Sequence, residues 1–314
     1  MTRVLALTCE EDPHADYVIA YLKQRGIDTY RVNTERLIND YSLSVRNGSF
    51  RIAGNGQTVH LDNAWTVWNR RVMPPDLSTS TPKELEAILR TETERTWDGL
   101  LFTHEGLVVN RPQAEYAANN KIDQLRFAQE YGFPVPDTLV SNDPAEAMAF
   151  YRSHPTICHK LQRVTVVERG GEHLISYTNI VKSDNLSNIE SVRNHPTMFQ
   201  AYIDKDYEVR ITLTRSQVIP VAIHSQDSKI SEIDYRKYDF ENVRYQKITV
   251  PDHVTQFCHA IRDYYGLAFG TIDMIATKSG EFVFLELNPN GQWLWLELKT
   301  GYPLTAAVAD NLTP

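Results

Sequence analysis

Gly270-Thr271-Ile272-Asp273-Met274-Ile275-Ala276-Thr277-Lys278-Ser279-Gly280-Glu281-Phe282-Val283-Phe284-Leu285-Glu286-Leu287-Asn288 decides how this chain is read. Two β-rich runs flank a Ser–Gly turn signal, so the stretch predicts a hairpin. A two-residue loop at Ser279–Gly280 pairs Lys278 with Glu281 and, stepping outward, sets Asp273 opposite Glu286. Side chains alternate across a strand, so Asn288 shares a face with Glu286. Asp273, Glu286 and Asn288 then form one oxygen-rich patch. Facing carboxylates on a sheet repel each other. A hard cation compensates, and oxygen-only ligands suit Mg²⁺. The patch also reads as a solvated sheet face, although Ile272, Met274, Val283, Phe284, Leu285 and Leu287 surround it with apolar bulk. A one-residue slip of the turn would break the patch. Pro289-Asn290-Gly291-Gln292 ends the second strand. Backbone N–H groups in such a loop could receive an anion, or the loop could simply turn into a C-terminal helix.

Outward from the hairpin, the chain has 314 residues, net charge −8, 42% hydrophobic and 23% charged residues, enough for two or three modest domains. The acidic balance argues against a surface that coats nucleic acid. No run of 18 apolar residues exists, so no membrane span is expected. Val4–Leu7 is too short for the core of a signal peptide. Cys9, Cys158 and Cys258 lie far apart with no C-x-x-C, which suits a reducing cytoplasm and gives neither a disulfide framework nor a zinc site.

Arg3–Cys9, a helix opened by Asp12–Pro13 and ending near Gly26, and Asp28–Val32 read as a β-α-β unit of a parallel sheet. Residues 41–61 read as short antiparallel strands with turns at Asn47–Gly48 and Gly54–Gln57. Trp65–Asn69 is a further strand and Pro82–Thr103 a helix. One helix is expected from about Gln113 to Tyr131, stopped by Gly132. Strands follow at Thr138–Ser141, Thr156–Gln162, Met198–Ile203 and Glu208–Thr214, with a hairpin tip at Gly170–Gly171 and a helix at Asp184–Arg193. Boundaries near 112 and 200 divide the chain into 1–112, 113–200 and 201–314.

The sequence contains neither G-x-x-x-x-G-K-[ST] nor G-x-G-x-x-G, so any nucleotide must be held by separate lysines, metal and turns. Lys160 sits in the apolar run Ile157–Leu161, where an ammonium needs an anionic partner or must snorkel outward. Gln200 also reads as a strand hydrogen-bonder, and Glu208 with Arg210 as a same-face surface pair. The ten histidines form no H-E-x-x-H.

Glu286-Leu287-Asn288-Pro289-Asn290-Gly291-Gln292 resembles the metal-binding motif of the ATP-grasp ligase superfamily. The longer run from Phe284 to Glu297, with Thr300–Gly301, is similar to the graspetide (microviridin-type) peptide ligases. Trp68-Asn69-Arg70-Arg71, Asn120–Lys121, Phe199–Lys205, Glu208-Val209-Arg210 and Asp234-Tyr235-Arg236 add to it. The resemblance implies an α/β chain with an ATP-grasp fold of α+β lobes behind an N-terminal pre-ATP-grasp domain. It implies that Asp273, Glu286 and Asn288 hold Mg²⁺ and that Lys121 and Lys160 contact phosphates. Gln200, Tyr202 and Ile203 would meet adenine, and Glu208 would reach ribose. Arg210 would lie near the phosphates or the acyl phosphate. Arg236 is the candidate for gripping the acceptor carboxylate, since a guanidinium fork suits one, with Asp234 orienting it or assisting deprotonation; Asp234, Arg236 and Lys237 also read as a charged surface loop. The implied partners are ATP, a ribosomal precursor peptide with leader and core, and a second copy in a homodimer. The implied reaction closes ester or amide rings between Asp/Glu and Thr/Ser or Lys side chains. Addition of a free amino acid or amine to a carboxylate is the alternative within the superfamily.

Overall fold

The computed structural model describes residues 2–79, 81–162, 166–169, 172–175 and 177–313, with 166–169 and 172–175 described by backbone alone. The chain opens with β1 (Arg3–Thr8), α1 (Pro13–Gln24) and β2 (Asp28–Asn33). Asp12 caps α1, its Oδ1 accepting from the N–H groups of His14 and Ala15 at 3.2 and 3.4 Å. A single turn, α2 (Leu37–Asp40), leads into a small antiparallel sheet of β3 (Tyr41–Arg46), β4 (Ser49–Gly54) and β5 (Gln57–His60). Next come β6 (Trp65–Asn69), α3 (Lys83–Thr103) and β7 (Val108–Val109). The strand order β2-β1-β6-β7 is parallel throughout, as the β-α-β reading requires.

The expected helix from Gln113 to Tyr131 is two: α4 (Pro112–Ala118) and α5 (Lys121–Tyr131). The break lies at Asn119–Asn120, because the Asn120 side chain accepts from the N–H groups of Ile122 and Asp123, both at 3.1 Å, and starts a new helix. Lys121 therefore opens α5. Then come β8 (Thr138–Ser141), α6 (Pro144–Ser153), β9 (Ile157–Lys160), β10 (Val166–Arg169), β11 (Glu172–Ile175), β12 (Asn179–Ile180) and β13 (Thr197–Ala201). The central sheet has order β12-β9-β13-β8, and β10 pairs antiparallel with β11. The Gly170–Gly171 tip lies outside the described residues. The segment expected to be helical from Asp184 is a 3₁₀ stretch, Ser183–Asn194, kinked at Asn188.

The last sheet contains β14 (Tyr207–Leu213), β15 (Val218–Ile223) and β16 (Tyr245–Lys247). After α7 (Asp252–Tyr265) come β17 (Gly270–Ala276), β18 (Phe282–Asn288), α8 (Leu294–Thr300) and α9 (Leu304–Leu312). The order is β16-β15-β14-β17-β18. Leu125, Ala128 and Phe133 share a core with Val209, Phe257 and Phe284, so α5 packs on this sheet rather than on the central one. The final helix packs back on the N-terminal domain, with Leu304 and Val308 in one cluster with Val18 and Leu22.

Register in the β17–β18 hairpin is the structural fact on which the site depends. The loop has three residues, Lys278–Gly280, closed by Thr277 N–H donating to Glu281 O at 2.9 Å. Gly280 supplies the positive φ of 85° that such a loop needs. The expected pairing of Lys278 with Glu281 is therefore absent. Leu285 then bulges between Asp273 and Met274 on the partner strand, and beyond it Asp273 stands opposite Glu286. A bulge shifts the register by one residue and so reverses the effect of the longer turn.

Candidate active site

β14 lies between β15 and β17, and its Arg210 sits beside Asp273. Both are buried, and Arg210 Nη1 donates to Asp273 Oδ2 at 2.6 Å. The Tyr235 hydroxyl donates to Asp273 Oδ1 at 2.9 Å and accepts from Arg210 Nη1 at 3.1 Å. Asn288 Nδ2 lies 3.2 Å from Asp273 Oδ2 and 3.1 Å from Glu286 Oε1. The three side chains read as a metal set thus converge. From α5, Lys121 Nζ reaches Glu286 Oε2 at 2.6 Å and donates to Leu161 O at 3.2 Å. Arg210 Nη2 also donates to Gln292 O at 3.2 Å. Gly291 is required there, since a Cβ would sit 1.7 Å from Thr271 Oγ1 and 2.8 Å from Arg210 Nη2.

The facing carboxyls are driven apart in acidity. Burial alone would raise Glu286, but Lys121, Lys160 and Arg236 outweigh it and hold its carboxyl well below the usual range. Burial, opposed by Arg210 and reinforced by the charge of Glu286, pushes Asp273 up. Burial lowers Lys160, against the attraction of Glu286. Among the described residues no group of three or more His, Cys, Asp or Glu side chains could hold a metal ion. The donor set is instead two carboxylates and an amide, all capable of presenting hard oxygen to Mg²⁺ once Asn288 turns its amide oxygen inward.

A second cluster adjoins the first. Arg236 forks onto Asp234, Nε to Oδ1 at 2.8 Å and Nη2 to Oδ2 at 2.5 Å, and Thr178 N–H donates to Oδ2 at 2.9 Å. Burial would raise Asp234, but these partners outweigh it and keep the group ionised. A cavity of about 430 Å³ opens here, lined by Arg210, Tyr235, Arg236, Glu286, Asn288 and Trp295. A smaller one, about 60 Å³, lies among Lys160, Glu208, Asp234, Asp273 and Glu286.

Glu208 and Arg210 share a face, as the surface-pair reading had it, but both are buried. Lys205 Nζ is 2.6 Å from Glu208 Oε1 and donates to Ile233 O at 3.1 Å, while the Ser225 hydroxyl donates to Glu208 Oε2. Burial raises Glu208 despite Lys205. Gln200 turns its side chain to Thr138 Oγ1 at 2.9 Å, and Tyr202 N–H donates to Thr156 O at 3.0 Å. The adenine expectation for Gln200 and Tyr202 thus meets groups already engaged within the central sheet. Tyr202 and the half-buried Ile203 begin the crossing from β13 to β14. Burial and Glu208 push the Tyr202 hydroxyl up to about 12. Sequence reasoning missed Lys205, Ser225 and the bridging Tyr235; the only signal was that Lys205 and Tyr235 lie inside runs already singled out.

Residues 3–115 match the MvdD pre-ATP-grasp domain family. Over its length the chain is similar to a RiPP-associated ATP-grasp ligase of Chryseobacterium gregarium, solved in complex with ADP and a leader and core peptide. The two are 25% identical over 99% of this chain and 96% of that one, with a TM-score of 0.90. This chain is an ATP-dependent ligase with the ATP-grasp fold, and it is similar to the graspetide-type enzymes. The ligase is also similar to the macrocyclase MdnC of Microcystis aeruginosa MRC, solved bound with the precursor peptide MdnA. Identity there is 25% over 99% of each chain, with a TM-score of 0.88. The macrocyclase MdnB from the same source is 28% identical over 100% of the ligase and 99% of that chain, with a TM-score of 0.81. Among curated proteins none matches the ligase. No helix among the described residues is long and apolar enough to cross a membrane.

Proposed function

We propose that the ligase joins Asp or Glu side-chain carboxylates of a ribosomal precursor peptide to Thr/Ser hydroxyls or Lys amines of the same peptide, at the expense of ATP. One observation carries this reading. Asp273, Glu286 and Asn288 converge on one point, faced by Lys121 and Lys160, beside a cavity that Arg236 enters. A carboxylate repels nucleophiles until a phosphoryl group is placed on it. The γ-phosphoryl group of ATP transfers to the carboxylate oxygen, ADP leaves, and an acyl phosphate remains. A hydroxyl or amine then attacks the carbonyl carbon, loses its proton, and phosphate departs.

When bound to Asp273, Glu286 and Asn288, Mg²⁺ supplies neutralisation of the phosphate charge. Lys121 is paired with Glu286 and is free to swing to phosphate once that carboxylate has another partner. Lys160 faces the same carboxylate from β9. Arg210 is already bonded to Asp273, Tyr235 and Gln292 O, so it suits holding Asp273 in place more than following a moving group. Arg236 is the cation best placed for the acceptor carboxylate, because a planar fork fits one and its side chain keeps 28% exposure. Asp234 is ionised and doubly engaged by Arg236, which favours orientation over deprotonation. The same reading makes the ligase a cytoplasmic homodimer, in keeping with three free, buried cysteines.

The test supplies ATP, MgCl₂ and a candidate precursor, a small Thr/Ser-, Lys- and Asp/Glu-rich peptide encoded beside the gene. Mass spectrometry should show one water lost per ring, matched by ADP. Mass gain from an added amino acid would replace this reading with the alternative ligase chemistry.

A further inference from the structure

The loop after Asn288 is held almost wholly by the N-terminal domain, a grip the mechanism above does not use. Asn110 Nδ2 donates to Pro289 O at 2.8 Å. Arg70 Nη1 donates to Asn290 Oδ1 at 2.5 Å and to its carbonyl at 3.1 Å, and Asn290 Nδ2 donates back to Arg70 O. His14 Nε2 accepts from both Trp293 N–H and Leu294 N–H at 3.2 Å. No side chain of α8 or its flank caps that helix, so a histidine 280 residues away from Leu294 does. Between His14 and Arg70 stands Asp12, with Oδ1 3.6 Å from His14 Nδ1 and Oδ2 3.5 Å from Arg70 Nε.

An imidazole that accepts at Nε2 must be neutral and carry its proton on Nδ1, the nitrogen facing Asp12. A second proton would point Nε2–H at two N–H groups and at the positive end of a helix. The loop so gripped carries Gln292 O, which receives Arg210, and Arg210 holds Asp273.

We propose that His14, acting as a neutral acceptor and steadied by Asp12 and Arg70, is a positioning residue that sets the Pro289–Leu294 loop and thereby the Mg²⁺ ligands. The idea rests on the ligase reading. The charged groups facing His14 are Asp12 at the start of its own helix and Arg70 and Arg71 after β6; the Trp293 ring stands edge-on, 5.1 Å between centroids. Burial foremost, then Arg70 and Arg71, lowers the imidazole below its ordinary value against Asp12. Protonation therefore requires solution more acidic than an ordinary histidine does.

The experiment measures ADP affinity by calorimetry with and without MgCl₂, for the full chain, from pH 5.5 to 8. Wild type should bind ADP more tightly with Mg²⁺. His14→Ala should lose about tenfold of that Mg²⁺ gain, and His14→Gln, whose amide oxygen can still accept, should restore most of it. On acidification wild type should lose Mg²⁺ gain relative to His14→Gln, which has no imidazole to protonate. Thermal unfolding of all three separates misfolding from misplacement, since a purely structural role would not be rescued by Gln with a changed pH profile. Equal Mg²⁺ gain in His14→Ala, failure of Gln to rescue, or identical pH profiles would each overturn the positioning role. No Mg²⁺ gain in wild type itself would instead overturn the ligase reading.

Discussion

The end of β18 is held on two sides by different means. Toward the N-terminal domain the grips fall mainly on backbone: Pro289 O, Asn290 O and the amides of Trp293 and Leu294. Toward the central lobe they are charges, with Lys121 at 2.6 Å from Glu286 and Lys160 drawn to the same carboxylate. Backbone hydrogen bonds fix a loop whether or not a ligand is present. Ion pairs are exchangeable, because a phosphate can take the lysine and a metal the carboxylate. On the proposed function, one side fixes where Asp273, Glu286 and Asn288 stand, and the other would respond to nucleotide.

The largest break in this contrast comes from the exchangeable side. Glu286→Gln with Asn288→Ala removes one of two carboxylate charges and the amide donor while leaving both strands paired. Circular dichroism should be unchanged and ADP release with precursor peptide abolished, a loss of at least about a thousandfold. Turnover at a near-normal rate would mean that the metal sits elsewhere. Next in size is Arg210→Met, which leaves the buried Asp273 with Tyr235 and Asn288 but no cation. Breaking a buried ion pair on one side costs about 3–5 kcal/mol, read by urea unfolding. Arg236→Met should cost far less stability, since Asp234 keeps the Thr178 N–H and the arginine is part exposed. Equal costs would show that both arginines are structural and would remove Arg236 as the carboxylate grip.

The sequence made the outline of the fold legible wherever local chemistry is decisive. Asp12–Pro13, Asn47–Gly48 and Gly132 mark ends and turns by capping and positive φ, and these elements appear where they were read. The facing of Asp273 and Glu286 was legible by turn arithmetic, yet it arises from two displacements that cancel, a three-residue loop and the bulge at Leu285. Bulges leave little trace in an apolar run such as Phe282–Leu285. The break at Asn119–Asn120 was hidden because good helix formers stand on both sides of it. Lys205 was missed because lysine is ordinarily exposed, and only its partners Glu208 and Ile233 O explain its burial. His14 and Arg70 grip groups 279 and 220 residues away, and no local pattern encodes such a pairing.

The smallest effect lies behind the backbone-gripping side. Glu115 on α4 is half-buried near Arg70, its Oε2 3.4 Å from Asn69 Nδ2 and its buried Oε1 without a partner. Burial pushes its carboxyl up to about 8, with Arg70 pulling the other way. Between the ordinary carboxyl range and about 8 the folded chain holds a proton that the unfolded chain has lost. Stability from this group is therefore greatest at low pH and falls as pH rises through that window. Glu115→Gln keeps the shape and removes the titration. Its unfolding free energy relative to wild type should rise by about 1–3 kcal/mol from pH 5 to 9. Parallel profiles would show that Arg70 already keeps Glu115 ionised. The grip on Asn290 would then belong to an arginine shared between two charges, Asp12 and Glu115, and the division between a side that grips by backbone bonds and one that grips by exchangeable charge would blur.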